Sequence, residues 1–295
     1  MDKVEFSNNI GIQLSSLERL SERVKRCYVS FYKTKKDGSN REIDSPNIEL
    51  KGIQSFILRD LLEKIPVHDA VHGFRKKRGI KSNAKKHLKR QCYLGIDIKS
   101  FFPSITIYQV NQIFTQIVND EPLADMLSKL CTFNRKLPQG GVTSPYLSNL
   151  VFFKADEAIS TICRQKRISY TRYADDLTFS AAEKSRLINI LPLVEKIINK
   201  NGFSINSKKT RFMSGAKKIE VTGVVLNSGK LSIGRDKKKN LRAALFKLAM
   251  GSLPQENVNK TIGMLSFLKD IEPVRHAKFI RVFKGNLKRF QKDKN

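Results

Sequence analysis

Tyr173-Ala174-Asp175-Asp176 is the stretch on which the reading of this chain turns. It lies between Ile168-Ser169-Tyr170-Thr171-Arg172 and Leu177-Thr178-Phe179-Ser180, which both alternate apolar and polar residues. Successive side chains on a strand point to opposite faces, so two adjacent carboxylates converge only at a bend. The flanking alternation predicts a strand, a tight turn and a second strand. With a third acid from elsewhere, such a turn can hold two Mg²⁺ ions about 3.5–4 Å apart, the arrangement that steadies the attacking and leaving oxygens in phosphoryl transfer. Most Asp-Asp pairs are solvated turn residues, so this one draws its meaning from its surroundings.

A third acid is available at Asp97. Tyr93 to Ile98 reads as a buried strand in which Leu94, Ile96 and Ile98 share one face and Asp97 projects from the other, towards a cleft. If the two strand-like segments are neighbours in one sheet, Asp97, Asp175 and Asp176 come together. The alternative is that they are independent surface features. Phe101-Phe102-Pro103 follows where the strand turns into a helix. A ring at Phe102 could close the space beside the sugar of an incoming nucleotide and select against a 2′-OH, while Phe101 suits the core. Leu137-Pro138-Gln139-Gly140-Gly141-Val142-Thr143 is a loop by composition, ending at a Ser144 cap with Pro145 opening a helix. Its glycines permit close backbone approach to a base pair or sugar, and Gln139 offers a donor and an acceptor. The plainer reading is a connector.

The composition agrees with a nucleic-acid enzyme. A formal charge of +29, from 56 Lys and Arg against 27 Asp and Glu, calls for a polyanionic partner, bound with steep salt dependence. A hydrophobic content of 40% with 18 Phe excludes a merely disordered basic chain. Cys27, Cys92, Cys131 and Cys163 lack CxxC spacing, which argues against zinc and against a disulfide framework. With no apolar leader and no run of about 18 apolar residues, the expected location is the cytoplasm, without membrane.

Helical stripes are expected at Leu14, Leu17, Leu20 and Val24, at Ile53, Phe56, Ile57 and Leu61 after Ser45-Pro46, and at Val110, Ile113, Phe114 and Ile117. One long stripe runs from Leu147 to Ile162, and another from Leu187 to Ile198 is stopped by Gly202. A basic hairpin is expected around Lys33 to Asn40, with Asp37-Gly38 as its turn signal. Further strands are expected near Phe203–Ile205, Glu220–Leu226 and Lys230–Ile233. From about Arg235 the chain reads as basic helices with stripes at Leu241, Ala244, Leu245 and Leu248, then 258–268 and 274–290, suited to gripping a duplex backbone. The class is α+β.

Leu94-Gly95-Ile96-Asp97-Ile98-Lys99-Ser100-Phe101-Phe102, the stretch from Leu137 to Asn149 and Tyr173-Ala174-Asp175-Asp176 resemble three successive blocks of reverse transcriptases. Gly202 to Asn206 with Lys208-Lys209-Thr210 resembles the block that follows. The resemblance implies a right-hand polymerase: fingers over residues 1–90, a palm over 91–234 (about 105–140 partly fingers) and a small helical thumb over 235–295. It implies Mg²⁺, with Mn²⁺ a possible substitute, on Asp97, Asp175, Asp176 and the Ile98 carbonyl. It further places Phe102 at the sugar gate, Gln139 and Gly140 at the dNTP, Arg41 with Lys35 or Lys33 on the triphosphate, and Lys209, or else Lys208, near the active site. His72-Gly73-Phe74 followed by Asn83-Ala84-Lys85-Lys86-His87, together with Val221-Thr222-Gly223, resembles elements of the bacterial retron branch. The plainer readings are a helix cap at Asn83, a surface histidine at His87 and an ordinary strand end at Val221. The retron resemblance implies RNA recognition by Asn83, Ala84, His87, Val221, Thr222 and Gly223. It also implies priming from the 2′-OH of a guanosine in a cognate structured noncoding RNA, a branched RNA–DNA product, and anti-phage defence with a separate effector protein. An RNA–DNA duplex and dNTPs are implied ligands, and a host RNase H would remove template. The rivals are a group II intron or diversity-generating reverse transcriptase, and an idle RNA-binding protein on the same scaffold.

Overall fold

The structure is a computed structural model that describes residues 1–35, 38–214, 218–227 and 229–292, without the side chains of 227 and 286–292. Its centre is a four-stranded antiparallel sheet in the order β4-β5-β3-β6, formed by β3 (Cys92–Asp97), β4 (Ser169–Tyr173), β5 (Asp176–Ala181) and β6 (Arg211–Ser214). Alternation in β3 sends Leu94 and Ile96 into the core, where α9 (Phe153–Gln165) and α10 (Lys184–Lys200) cover the sheet. Asp97 then lies on the opposite face.

The N-terminal stripe divides into α1 (Lys3–Ile10) and α2 (Leu14–Glu22), and Val24 opens a 3₁₀ turn. The basic hairpin forms from β1 (Tyr28–Thr34) and β2 (Asn40–Pro46), with Lys33 directly opposite Arg41. Lys36 and Asp37 of its expected turn lie outside the described residues. Pro46 ends β2 rather than opening a helix. The cap of α3 (Ile48–Asp60) is Asn47, whose side chain accepts the Leu50 amide at 2.9 Å.

After α4 (Ile80–Lys85) and β3 come the short α5 (Phe101–Ser104), α6 (Ile107–Val118) and α7 (Glu121–Cys131). The stripe expected as one helix is two, α8 (Ser144–Val151) and α9, broken at buried Phe152; the cap position is Thr143, not Ser144. Phe203–Ile205 contributes only an isolated bridge between Ile205 and Ile98. A second, three-stranded sheet contains β7 (Glu220–Val221), β8 (Val224–Asn227) and β9 (Lys230–Ser232), followed by α11 (Arg235–Ala249), α12 (Gln255–Ile271) and α13 (Pro273–Lys292). This is the α+β class expected.

Two hydrophobic clusters organise the described residues. The larger joins elements from Phe6 to Phe203; the smaller joins Ala84 and Tyr93 to the second sheet and the three C-terminal helices. No helix among the described residues is long and apolar enough to cross a membrane. All four cysteines are free.

The loop before α8 is pinned to the β1–β2 hairpin. The Asp44 amide donates to the Gln139 carbonyl at 2.9 Å, and the buried Gln54 accepts the Val142 amide while donating to Tyr28 and to the Leu130 carbonyl. Gly140 makes this approach possible: its φ is 136°, and a Cβ there would stand 2.6 Å from the Asp44 carbonyl oxygen. Gly140→Ala should therefore part loop from hairpin and lower stability by about 1–3 kcal/mol, read as a fall in denaturant midpoint; an unchanged midpoint would show that the contact is slack.

Candidate active site

The turn between β4 and β5 carries the two acids. Ala174 adopts φ 56°, which reverses the chain in two residues, and the register pairs Tyr173 with Asp176 on one side and Asp97 with Asp176 on the other. Directly opposed residues of an antiparallel pair share a face, so Asp97 and Asp176 project together. Asp175 is fixed at the same end, where its carbonyl accepts the Ile98 amide at 3.0 Å.

The charge gathered here perturbs its own ionisation. Burial, then the Asp97 carboxylate, raises the Asp175 pKa, while Lys209 and Arg41 oppose the rise. Asp176 is raised to about 6 by burial and by the Asp175 and Asp97 carboxylates, against Arg211 and Lys209. Although Asp176 is exposed by area, it lines a concave cleft of about 730 Å³, where protein displaces much of the water around its carboxylate. Lys209 Nζ donates to both oxygens of Asp97, at 3.2 and 3.0 Å, and that bond raises the lysine pKa. Of the two candidate lysines, Lys209 is the one at the acids.

Three carboxylates at one sheet end form an all-oxygen donor set of the kind a hard divalent cation takes. Among the described residues, no three such side chains are drawn close enough to hold an ion as they stand. The Lys209 ammonium instead neutralises Asp97. The donor chemistry fits a divalent ion, and Asp175 and Asp176, whose pKa values are raised first by burial and then by neighbouring carboxylates, lie beside Asp97 at that end of the sheet.

Other expected residues divide between wall and frame. Phe101 is buried; Phe102 is partly exposed and meets Phe74 at 6.1 Å, while Phe74 lies 6.5 Å from Tyr173. An aromatic ledge thus runs beside the acidic turn. Gln139 is partly exposed and Gly140 exposed, next to Ile43 of the hairpin, and Arg41 is close enough to Asp175 to act on its charge. Lys35 is exposed two residues beyond Lys33, nearer the hairpin tip. Ile98 is buried by its side chain, with its amide on Asp175.

The expectation for Asn83, Ala84 and His87 needs correction. None has surface to offer an RNA, since each is fully buried. His87 Nδ1 and Nε2 lie 2.7 Å from the Ser180 and Thr171 hydroxyls, and burial pushes its pKa down to about 3, so the ring is neutral. Asn83 donates to the Thr222 hydroxyl at 3.2 Å. Val221, Thr222 and Gly223, by contrast, line the same cleft as Asp97 and Asp176.

Residues not anticipated as functional hold the acidic turn. Arg172 and Asp156 are both fully buried and share hydrogen bonds of 2.6 to 3.1 Å. Arg172 also donates to the Ala174 carbonyl and to Asn149 Oδ1, both at 3.1 Å, and its guanidinium lies over the Phe152 ring. Asn149 in turn donates to the Gly73 carbonyl. Gly73 packs on the turn itself, where a Cβ would come within 2.7 Å of the Ala174 nitrogen. Removing one partner of such a buried pair typically costs about 3–5 kcal/mol. The available signal was a charge in each apolar pattern: Asp156 beside Ala155 within the α9 stripe, and Arg172 in step with Ile168 and Tyr170.

Comparison with known proteins agrees with this geometry. Residues 33–226 match the family described as reverse transcriptase (RNA-dependent DNA polymerase). The retron Ec86 reverse transcriptase of Escherichia coli is 33% identical over 253 residues, covering 86% of this chain and 78% of that protein. The retron Ec73 reverse transcriptase of the same species is 32% identical over 275 residues, covering 87% of each. Among solved structures, a foamy viral protease-reverse transcriptase in complex with an RNA/DNA hybrid superposes with a TM-score of 0.52 at 16% identity, over 82% of this chain and only 27% of that one. The chain belongs to the reverse transcriptases, the RNA-directed DNA polymerases, and within them to the bacterial retron type.

The clustered acids set a pH dependence. An acid whose folded pKa is raised takes up its proton more readily folded than unfolded, so its burden on stability is present above pH 6 and relieved as pH falls towards 4. In chelator, Asp176→Asn should melt higher than the parent at pH 7.5 and nearly with it at pH 4.5. A constant difference across that window would show that Asp176 carries no such repulsion.

Proposed function

We propose that the chain copies a cognate structured noncoding RNA into DNA, starting from the 2′-OH of a guanosine in that RNA and leaving a branched RNA–DNA product. The observation that carries the reading is the pairing of Asp97 with Asp176 beside the Asp175 turn. The names of the retron relatives support the RNA-primed form, and the hybrid bound by the viral neighbour supports an RNA–DNA duplex as the ligand. The +29 charge suits both.

Asp97, Asp175, Asp176 and the Ile98 carbonyl would hold Mg²⁺, or Mn²⁺ in its place. When bound, two such ions lower the pKa of the primer hydroxyl and stabilise the charge that develops on the α-phosphate and the departing pyrophosphate. The chain's own residues position the reactants. Arg41 grips phosphate oxygens of the dNTP with its fork, helped by Lys33 or Lys35 from the same hairpin. Gln139 and Gly140 seat the base pair and sugar, and Phe102 closes the space a 2′-OH would need. Lys209, whose Nζ donates to both oxygens of Asp97, puts a positive charge beside the phosphates.

Residues 1–90 act as fingers, 91–234 as palm and 235–295 as thumb, whose basic helices hold the new duplex. The core shared by Val221, Val224 and Ile233 with Leu241 and Leu268 attaches the last palm strands to that thumb. In the cell the complex works in the cytoplasm against phage, with a separate effector protein and with host RNase H trimming template.

Supplied with dNTPs and Mg²⁺, purified protein should extend DNA from the RNA that copurifies with it. Asp175→Asn should abolish extension, by at least about 10³-fold, while the variant still melts cooperatively and retains the RNA. Extension at near-parent rates would end the metal assignment. Phe102→Ala should raise ribonucleotide incorporation relative to dNTP by roughly tenfold or more; unchanged selectivity would return Phe102 to a packing role.

A further inference from the structure

Helix α4 is only six residues long, yet it touches three separate parts of the molecule. His87, just beyond it, bonds to Thr171 of β4 and Ser180 of β5, the two strands that lead into and out of the acidic turn. Its carbonyl accepts the Tyr93 hydroxyl at 3.1 Å, which ties it to β3 as well. Ala84 belongs to the second hydrophobic cluster, with the three-stranded sheet and the C-terminal helices. Asn83 reaches 139 residues along the chain to Thr222. The helix therefore spans the distance between the strands that carry the acids and the Val221-Thr222-Gly223 turn.

That turn is conformationally demanding. Thr222 and Gly223 both have positive φ, 45° and 84°, and a β-branched residue is uncommon there. Two polar contacts hold the turn from behind. One is the Asn83 amide on the Thr222 hydroxyl; the other is Lys237 Nζ, which donates to the Gly223 carbonyl at 2.9 Å. Asn83 is otherwise an expensive way to fill space. It is fully buried, and its Oδ1 has no hydrogen-bond partner among the described residues. A buried amide left half satisfied is less favourable than an apolar residue of similar size, so packing alone does not account for it. The pairing with Thr222 does, and it survives either orientation of the amide because a hydroxyl both donates and accepts.

We infer that Asn83 is a positioning residue for template choice: it fixes the Thr222 turn on the cleft wall relative to Asp97 and Asp176, so that the structured RNA is read in register with the catalytic acids. The inference rests on the proposed retron-type reading and deepens it. His87 secures the other end of the same strut to β4 and β5. Asn83 itself touches no nucleic acid, and its influence runs through the turn it holds. A primer-template that does not lean on the turn is extended without its help.

The test compares kcat/KM on the RNA that copurifies with the chain against kcat/KM on an unstructured RNA template with an annealed DNA primer. Asn83→Ala should lower the ratio of the two about tenfold, the loss expected from one buried hydrogen bond, while extension of the annealed primer stays within twofold of the parent. Thr222→Val, a change on the cleft wall that leaves the core intact, should lower the same ratio, and Thr222→Ser should restore it. In the double variant Asn83→Ala with Thr222→Val the loss should not grow, because one contact is removed twice. Equal losses on both templates with a lowered melting temperature would reduce Asn83 to a packing role. So would additive losses, or a ratio unmoved by Thr222→Val. A parent protein that shows no preference for its copurifying RNA would instead overturn the retron-type reading, which separates the two failures.

Discussion

Three carboxylates pressed to one end of a sheet repel one another, and much of the surrounding structure is arranged to hold them there. Burial raises the pKa values of Asp175 and Asp176, and the neighbouring carboxylates add to the rise. The rise is opposed by cations from two distant parts of the chain: Arg41 on the β1–β2 hairpin, and Lys209 with Arg211 at the start of β6. The most direct of these contacts is the ammonium of Lys209, 3.0 Å from Asp97.

The backbone beneath the acids is held by a different device. The buried Arg172–Asp156 pair, with Asn149 and the Tyr170 hydroxyl, leaves no donor of the guanidinium idle in the direction of the turn. Desolvating such a pair has a large unfavourable term, and its replacement by apolar residues is often neutral for stability in other proteins. Its use here is geometric. A guanidinium fork bonded to the Ala174 carbonyl fixes a left-handed residue that the side chain alone does not prefer.

Much of this was legible in the sequence, and the omissions have physical causes. The acidic hairpin and β3 were readable because alternation over five or six residues is a strong local signal. That alternation put Asp97 on the face away from the core, whereas its pairing with Asp176 depends on β3 and β5 being neighbours, which alternation does not specify. Helix α7 escaped notice because its buried face is built partly from small or polar residues, among them Ala124, Ser128 and Cys131, which do not stand out as an apolar stripe. Strand β6 is an edge strand with mostly exposed residues, so no burial pattern marks it. The break at Phe152 leaves the apolar stripe in step on both sides, which hides it from periodicity. Asn83 and His87 look like surface residues by type; their burial depends on partners 84 to 139 positions away, which no local window contains. The choice between Lys208 and Lys209 likewise depended on a 3₁₀ turn, Ser207–Lys209, that sends neighbouring side chains in different directions.

Strand β3 belongs to both hydrophobic clusters at once, Leu94 and Ile96 facing the larger and Tyr93 the smaller. It is a party wall, and Asp97 stands at its end on the Tyr93 side. The cluster that Tyr93 joins also holds Leu241, Leu268 and Phe279 of the three C-terminal helices, so the strand bearing the acid and those helices share one packing surface. Packing lost among those helices is therefore felt along the backbone that ends in Asp97.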